Sequence, residues 1–178
     1  RAASLQAEID LIDVVPGLLP DIVINSSAPR VIAGRSLIVS LAGPAVTAGD
    51  VWIQDPATRM VIAGDLVTLP VPLLDTACPE GWQATLDRIA RFDFQVLVPG
   101  HGDPLTRAEF ETYRTAFANL LRNAASDAST DACVDGWQHD IGTLVPASAH
   151  EWARQLLTYY LAEHLRGDPE RTAKLCAH

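Results

Sequence analysis

"FQVLVPGHGDPL", residues 94–105, decides how this chain is read. A β-branched apolar run closes on Pro99, and His101 then stands between Gly100 and Gly102, with Asp103 two residues on. Strands buried in a layered sheet read as near-continuous apolar segments, so "FQVLVPG" predicts a strand covered on both faces. An imidazole on the open turn after such a strand lies at the carboxyl edge of a sheet, where layered α/β domains place their sites. "VIAGDLV", residues 61–67, repeats the setting: an apolar run, Gly64, then Asp65. A carboxylate oxygen and an imidazole nitrogen together suit zinc, iron or manganese. The same residues also fit plainer roles, an aspartate closing a turn and a histidine tolerated among glycines.

Working outward, residues 22–64 are short β-branched runs separated by turn residues: "DIVIN", "RVIAG", "SLIVSLAG", "DVWIQ" and "RMVIAG". They predict sequential strands, several joined as hairpins, with Asp55 and Pro56 turning the last pair. "CPEGWQATLDRIARF" places Trp82, Leu86, Ile89 and Phe92 on one helical face. Thr106 with Glu109 three residues later forms a capping box for a helix bearing Phe110, Tyr113, Phe117 and Leu120 on one side. "AASLQAEIDLI", residues 2–12, predicts a short helix ahead of the strands. After the polar linker "AASDASTDA" the chain reads as helices and turns. There Trp137, Trp152, Tyr159 and Tyr160 are expected in the helix-packing core, and His139, His150 and His164 on helix surfaces. Strands first, then strand–helix alternation, then helices predict an α/β layered fold. We divide it into residues 1–123 and a helical extension, residues 124–178, packed on them.

The chain has 178 residues, of which 48% are hydrophobic and 20% charged, a balance that excludes a disordered chain. Net charge is −9 and the 13 basic residues are scattered, so neither a nucleic-acid surface nor an anionic membrane surface is expected. Apolar stretches break well before the roughly 18 residues a membrane-spanning helix needs, which predicts a soluble protein. Arg1 rather than Met opens the sequence, and we read it as starting partway through a longer product, after processing, cleavage or truncation.

Cys78, Cys133 and Cys176 show no metal-binding or redox spacing. In an oxidising compartment the expected pair is Cys133 with Cys176, stapling the last helix to the domain by roughly 4 kcal/mol of loop entropy and leaving Cys78 free. That pairing would favour a periplasmic or secreted location. Three incidental thiols would suit the cytoplasm. "GRSL" around Ser36 is no nucleophile elbow, and "AHEWAR" lacks the second histidine of a zinc-protease helix.

Taken together, "GPAVTAGDVWIQDPATRMVIAGDLV", a helix, and "FDFQVLVPGHGDPLTRAEFETYRT" resemble the carboxy-terminal half of the metallo-β-lactamase fold hydrolases, over about residues 35–122. The order and separation of "AGDL" and "VLVPGHG" carry the resemblance. It implies an αββα-type layered fold, here incomplete, and metal-dependent hydrolysis of a small-molecule substrate. In that chemistry two cations lower the pKa of a bridging water and polarise the scissile bond. Asp65 corresponds to the bridging carboxylate and His101 to a ligand of the second metal. Asp103 is a candidate to hold the loop or to orient His101 from behind, with an ordinary Asx-turn as its plainer role.

Two departures qualify the expected activity. The signature His-x-His-x-Asp-His is absent, and Val46 stands where the family places a histidine of its first site. A catalytic zinc needs about three protein ligands, and only two are recognisable. The expectation is therefore one normal zinc at most in a complete protein, with a second weak or absent, and little or none in this chain alone. An amino-terminal half or a second chain would complete the sheet. The alternative is a non-catalytic member of the same fold that serves binding or assembly.

Overall fold

The computed structural model describes residues 22–177. The helix expected over residues 2–12 lies outside them. A six-stranded mixed sheet runs in chain order: β1 (Ala28–Ile32), β2 (Arg35–Leu41), β3 (Val51–Asp55), β4 (Met60–Thr68), β5 (Val96–His101) and β6 (Leu105–Thr106). Neighbouring strands are antiparallel except β4 and β5, which are parallel. Ala33 and Gly34 both have positive φ in the two-residue turn from β1 to β2, matching the backbone twist that hairpins prefer. "DIVIN" is not a strand. Residues 22–27 precede the sheet without regular pairing, and Asp21 falls outside the described residues.

Parallel strands need a crossover, and the helix α1 (Pro79–Ile89) supplies it between β4 and β5. Pro79 opens that helix, where its fixed φ is already helical, and Trp82, Leu86 and Ile89 are fully buried. α2 (Arg107–Ala124) starts on the expected capping box: the Thr106 side chain accepts from the Glu109 N–H, and the Glu109 carboxylate accepts from the Thr106 N–H. Phe110, Tyr113, Phe117 and Leu120 face the core from α2, and Phe94 meets Phe110 edge-on at 5.5 Å.

Strand β5 is not covered on both faces. Leu97 and Pro99 are buried while Val96 and Val98 are half-buried, because the helices cover one face of the sheet only. On the other face the register aligns Ile53, Ile62 and Val98 in a row, with Ile62 41% and Val51 37% exposed. The apolar run of β5 thus belongs to a sheet whose second face is open among the described residues.

After residue 124 come α3 (Thr130–Asp140), α4 (His150–Tyr160), a π-helical turn over Leu161–Leu165, and α5 (Pro169–Cys176). Cys133, Val134, Trp137, Ile141 and Leu157 join the same core as the sheet and α2. The Trp137 indole donates to the Pro70 carbonyl at 2.9 Å, and the Arg166 guanidinium donates to the carbonyls of Asn123, Ala124 and Ala128. Trp137 and Tyr160 are core residues as expected, whereas Trp152 and Tyr159 are half-exposed on the outer face of α4. His139 is exposed and His150 half-buried, but His164 is buried, because the π turn rotates it inward between Tyr159 and Tyr160.

The disulfide is Cys78–Cys176, not Cys133–Cys176. α3 points Cys133 into the core, where it is buried and free, while Cys78 at the start of α1 meets the end of α5 with a Cα–Cα distance of 5.0 Å. None of the described helices is long and apolar enough to cross a membrane.

Candidate metal centre

The carboxyl ends of β4 and β5 bring Asp65 and His101 together. The separation between His101 Nε2 and Asp65 Oδ1 is 3.6 Å, and the two side chains are 60% and 51% exposed. That distance exceeds a hydrogen bond, so the facing atoms are neighbours without a bond between them. Two ligands about 2.0–2.2 Å from one tetrahedral zinc stand roughly 3.3–3.6 Å apart, so this pair has the spacing of atoms sharing a cation. The donor types fit as well, since carboxylate oxygen and imidazole nitrogen are both ordinary zinc ligands.

Local backbone chemistry explains the approach. Gly64 has φ +54, a conformation other residues adopt with strain, and the β4–β5 register shifts on both sides of it. The shift turns Asp65 out of the pleat toward β5. Opposite, a Cβ on Gly100 would overlap Oδ1 of Asp65 and lie 2.8 Å from the Gly64 carbonyl carbon and 2.9 Å from the Asp65 nitrogen. Only glycine lets the strands close here. Gly102, at φ +106, turns the chain after His101, whose carbonyl accepts from the Leu69 N–H at 3.0 Å.

Buried groups hold the end of β4 from beneath. The Trp82 indole donates to the Leu66 carbonyl at 2.8 Å, and the Thr68 N–H donates to the Tyr113 hydroxyl at 3.4 Å. Burial pushes the Tyr113 phenol well above its ordinary pKa, so it stays neutral. Trp82 and Tyr113 read in the sequence as packing residues only. Their polar tips sit on helices whose register against the strand is set by tertiary packing, and no motif marks them.

The other candidate positions lie differently. Asp103 is exposed and forms no hydrogen bond with His101 among the described residues. It borders a groove of about 280 Å³ shared with Leu69, Pro70, Leu144, Val145 and Pro146. Val46 is buried in the core, and its hydrocarbon side chain has no lone pair to offer a metal; its carbonyl accepts from the Thr76 hydroxyl at 2.9 Å. No cluster of three or more His, Cys, Asp or Glu side chains able to hold a metal occurs among the described residues.

Similarity to solved structures agrees with this architecture. A metallo-β-lactamase from Pontibacter korlensis superposes with a TM-score of 0.50 at 23% identity, over 62% of this chain and 54% of that one. The DIM-1 metallo-β-lactamase gives a TM-score of 0.47 at 17% identity, over 65% and 55% of the two chains. The chain spans about half the length of the solved structures it matches. No protein-family profile and no curated protein matches the sequence. The protein has the metallo-β-lactamase fold, as a mixed α/β layered structure.

Proposed function

We propose that this chain is the carboxy-terminal portion of a zinc-dependent hydrolase, in which Asp65 and His101 hold metal at the ends of β4 and β5. The observation that carries the proposal is the 3.6 Å approach of Oδ1 and Nε2 across two parallel strands. When bound, zinc supplies Lewis-acid polarisation of the bond to be cleaved and activates water as the nucleophile. Asp65 offers an anionic oxygen and His101 the lone pair of Nε2. Gly64 and Gly100 keep the two side chains in register. The remaining ligands would come from an amino-terminal half or a second chain lying across the open sheet face marked by Ile53, Ile62 and Val98. The half-exposed pair is open to a small-molecule substrate from solvent. The Cys78–Cys176 bond supports a periplasmic or secreted location, since such bonds persist in oxidising compartments.

Val46, together with a ligand set of two, favours a second reading: a non-catalytic relative that keeps the fold for binding or assembly. Zinc competition against a chromophoric chelator separates the ideas, run on the wild type, Asp65→Ala and His101→Ala. Removing groups that merely support a ligand costs on the order of 10–100-fold in metal affinity, so each ligand deletion should cost at least about tenfold. Variants that bind zinc as well as the wild type would refute the assignment. Weak zinc binding that depends on both residues, without hydrolysis even after the missing ligands are supplied, would favour the non-catalytic reading.

A further inference from the structure

Among the described residues, α5 is the one α-helix that buries none of its side chains. A cavity explains why. Thr172, Ala173 and Cys176 of α5 face Leu121, Ala124 and Leu165 across a space of about 360 Å³, so the helix arches over the body without packing into it. Among the described residues, its one hydrogen bond to the body runs from the Arg171 guanidinium to the Asp75 carbonyl, 3.0 Å away and exposed to water. The Cys78–Cys176 bond is its covalent anchor. The chain just before α5 is fixed, because Arg166 donates to the carbonyls of Asn123, Ala124 and Ala128. Between that pinned residue and the loosely held helix lies Gly167, where a Cβ would overlap the Glu163 carbonyl and where a glycine backbone turns with little resistance. The Asp168 side chain accepts from the Glu170 N–H, so α5 carries its own cap and moves as a unit.

We propose that α5 is a redox-gated lid, which swings about Gly167 and opens the cavity when a dithiol reduces Cys78–Cys176. The two sulfurs are not equally accessible. Cys78 is 4% exposed whereas Cys176 is half-buried, so an incoming thiolate reaches the Cys176 sulfur. The S–S bond breaks, its electron pair leaves on Cys78, and a mixed disulfide forms at Cys176. The second thiol of the reductant then attacks the reductant's own sulfur in that mixed disulfide. Cys176 leaves, the reductant departs as a disulfide, and two electrons and two protons have passed to the protein. Cys78 is well placed as the first leaving group, because it occupies the N-cap position of α1, whose first turn has no side-chain cap. Free N–H groups at a helix N-terminus favour a thiolate and so speed its departure. Once the bond is broken, the Arg171 hydrogen bond competes with water and adds little. The core is left intact, since α5 contributes no buried side chain to it.

Trypsin cleavage at Arg171 and Lys174, Nile red fluorescence and near-ultraviolet circular dichroism test this on the oxidised protein and after dithiothreitol. Reduction should speed cleavage at both sites at least about tenfold, as expected where a local opening sets the rate. Nile red emission should rise as Leu121, Ala124 and Leu165 become accessible. The near-ultraviolet signal of the buried Trp82 and Trp137 should stay native, and oxidised glutathione should restore protection. Cys78→Ser/Cys176→Ser should behave as the reduced protein with or without dithiothreitol. Equal cleavage or equal dye emission in the two redox states of the wild type would overturn the proposal. So would loss of the near-ultraviolet signal on reduction, which would make the bond a staple of the whole domain rather than a latch on one helix. A double variant that still responds to dithiothreitol would overturn it as well, because this bond would not be the source of the response.

Discussion

Replacing Gly100 by alanine tests whether the two strands meet at the metal pair as described. The added Cβ would overlap the Asp65 carboxylate, which can rotate away, but it would also lie 2.8 Å and 2.9 Å from the Gly64 carbonyl carbon and the Asp65 nitrogen. Those are backbone atoms, so relief requires β4 and β5 to part. Overpacking of this kind costs about 1–3 kcal/mol. Alanine recovers roughly 0.4–1 kcal/mol by restricting the unfolded chain. The net loss should be about 1–2 kcal/mol, a fall of about 0.5–1 M in the urea midpoint at a slope near 2 kcal/mol/M. Gly49→Ala is the internal control: no atom lies within 4 Å of its Cβ position, and its φ is not in the left-handed region. Its midpoint should stay level or rise. Urea unfolding followed by tryptophan fluorescence measures both variants, and zinc competition on the folded Gly100→Ala protein adds a second readout. There the displaced carboxylate should lower affinity even where the protein is fully folded. A Gly100→Ala midpoint equal to that of Gly49→Ala would refute the close approach, and with it the reason for a glycine before His101.

Two further perturbations follow from the same structure. The Cys78–Cys176 bond closes a loop of 98 residues, worth at most about 4.7 kcal/mol of unfolded-state entropy. α5 buries none of its residues, so in Cys176→Ser it should loosen in the native state and the measured loss should fall below that limit. Urea unfolding and limited trypsin cleavage at Arg171 and Lys174 would show both effects, and a variant as stable and as protected as the wild type would count against the tether. Burial, reinforced by Arg171, holds the His164 pKa below its ordinary value of 6.5 despite the opposing pull of Asp75 and Glu163. As pH falls below 6.5 the unfolded chain takes up this proton before the native one does, so acidification favours unfolding. The contribution is fully present above 6.5 and lost toward the lower native pKa, and His164→Gln should remove that part of the pH dependence. An unchanged stability–pH curve in the variant would contradict the burial of the ring.

Much of this molecule was legible in one dimension, because the signals are local. Hydrophobic period placed α1 and α2, Thr106 with Glu109 marked the start of α2, and the apolar runs before Asp65 and His101 marked β4 and β5 as well as the edge where both residues sit. Their convergence follows from strand ends that must lie side by side once a helix crosses between parallel neighbours. Tertiary structure alone decided the rest. Cysteine spacing carries no information about which Cα atoms approach within bonding reach, so it could not choose Cys78 over Cys133 as the partner of Cys176. An apolar strand composition cannot say whether one sheet face or two are covered, and β5 has one. The indole of Trp82 beneath β4 and that of Trp137 on the Pro70 carbonyl join residues distant in the chain. Sequence fixes what each segment can bury, and only packing decides what it is buried against.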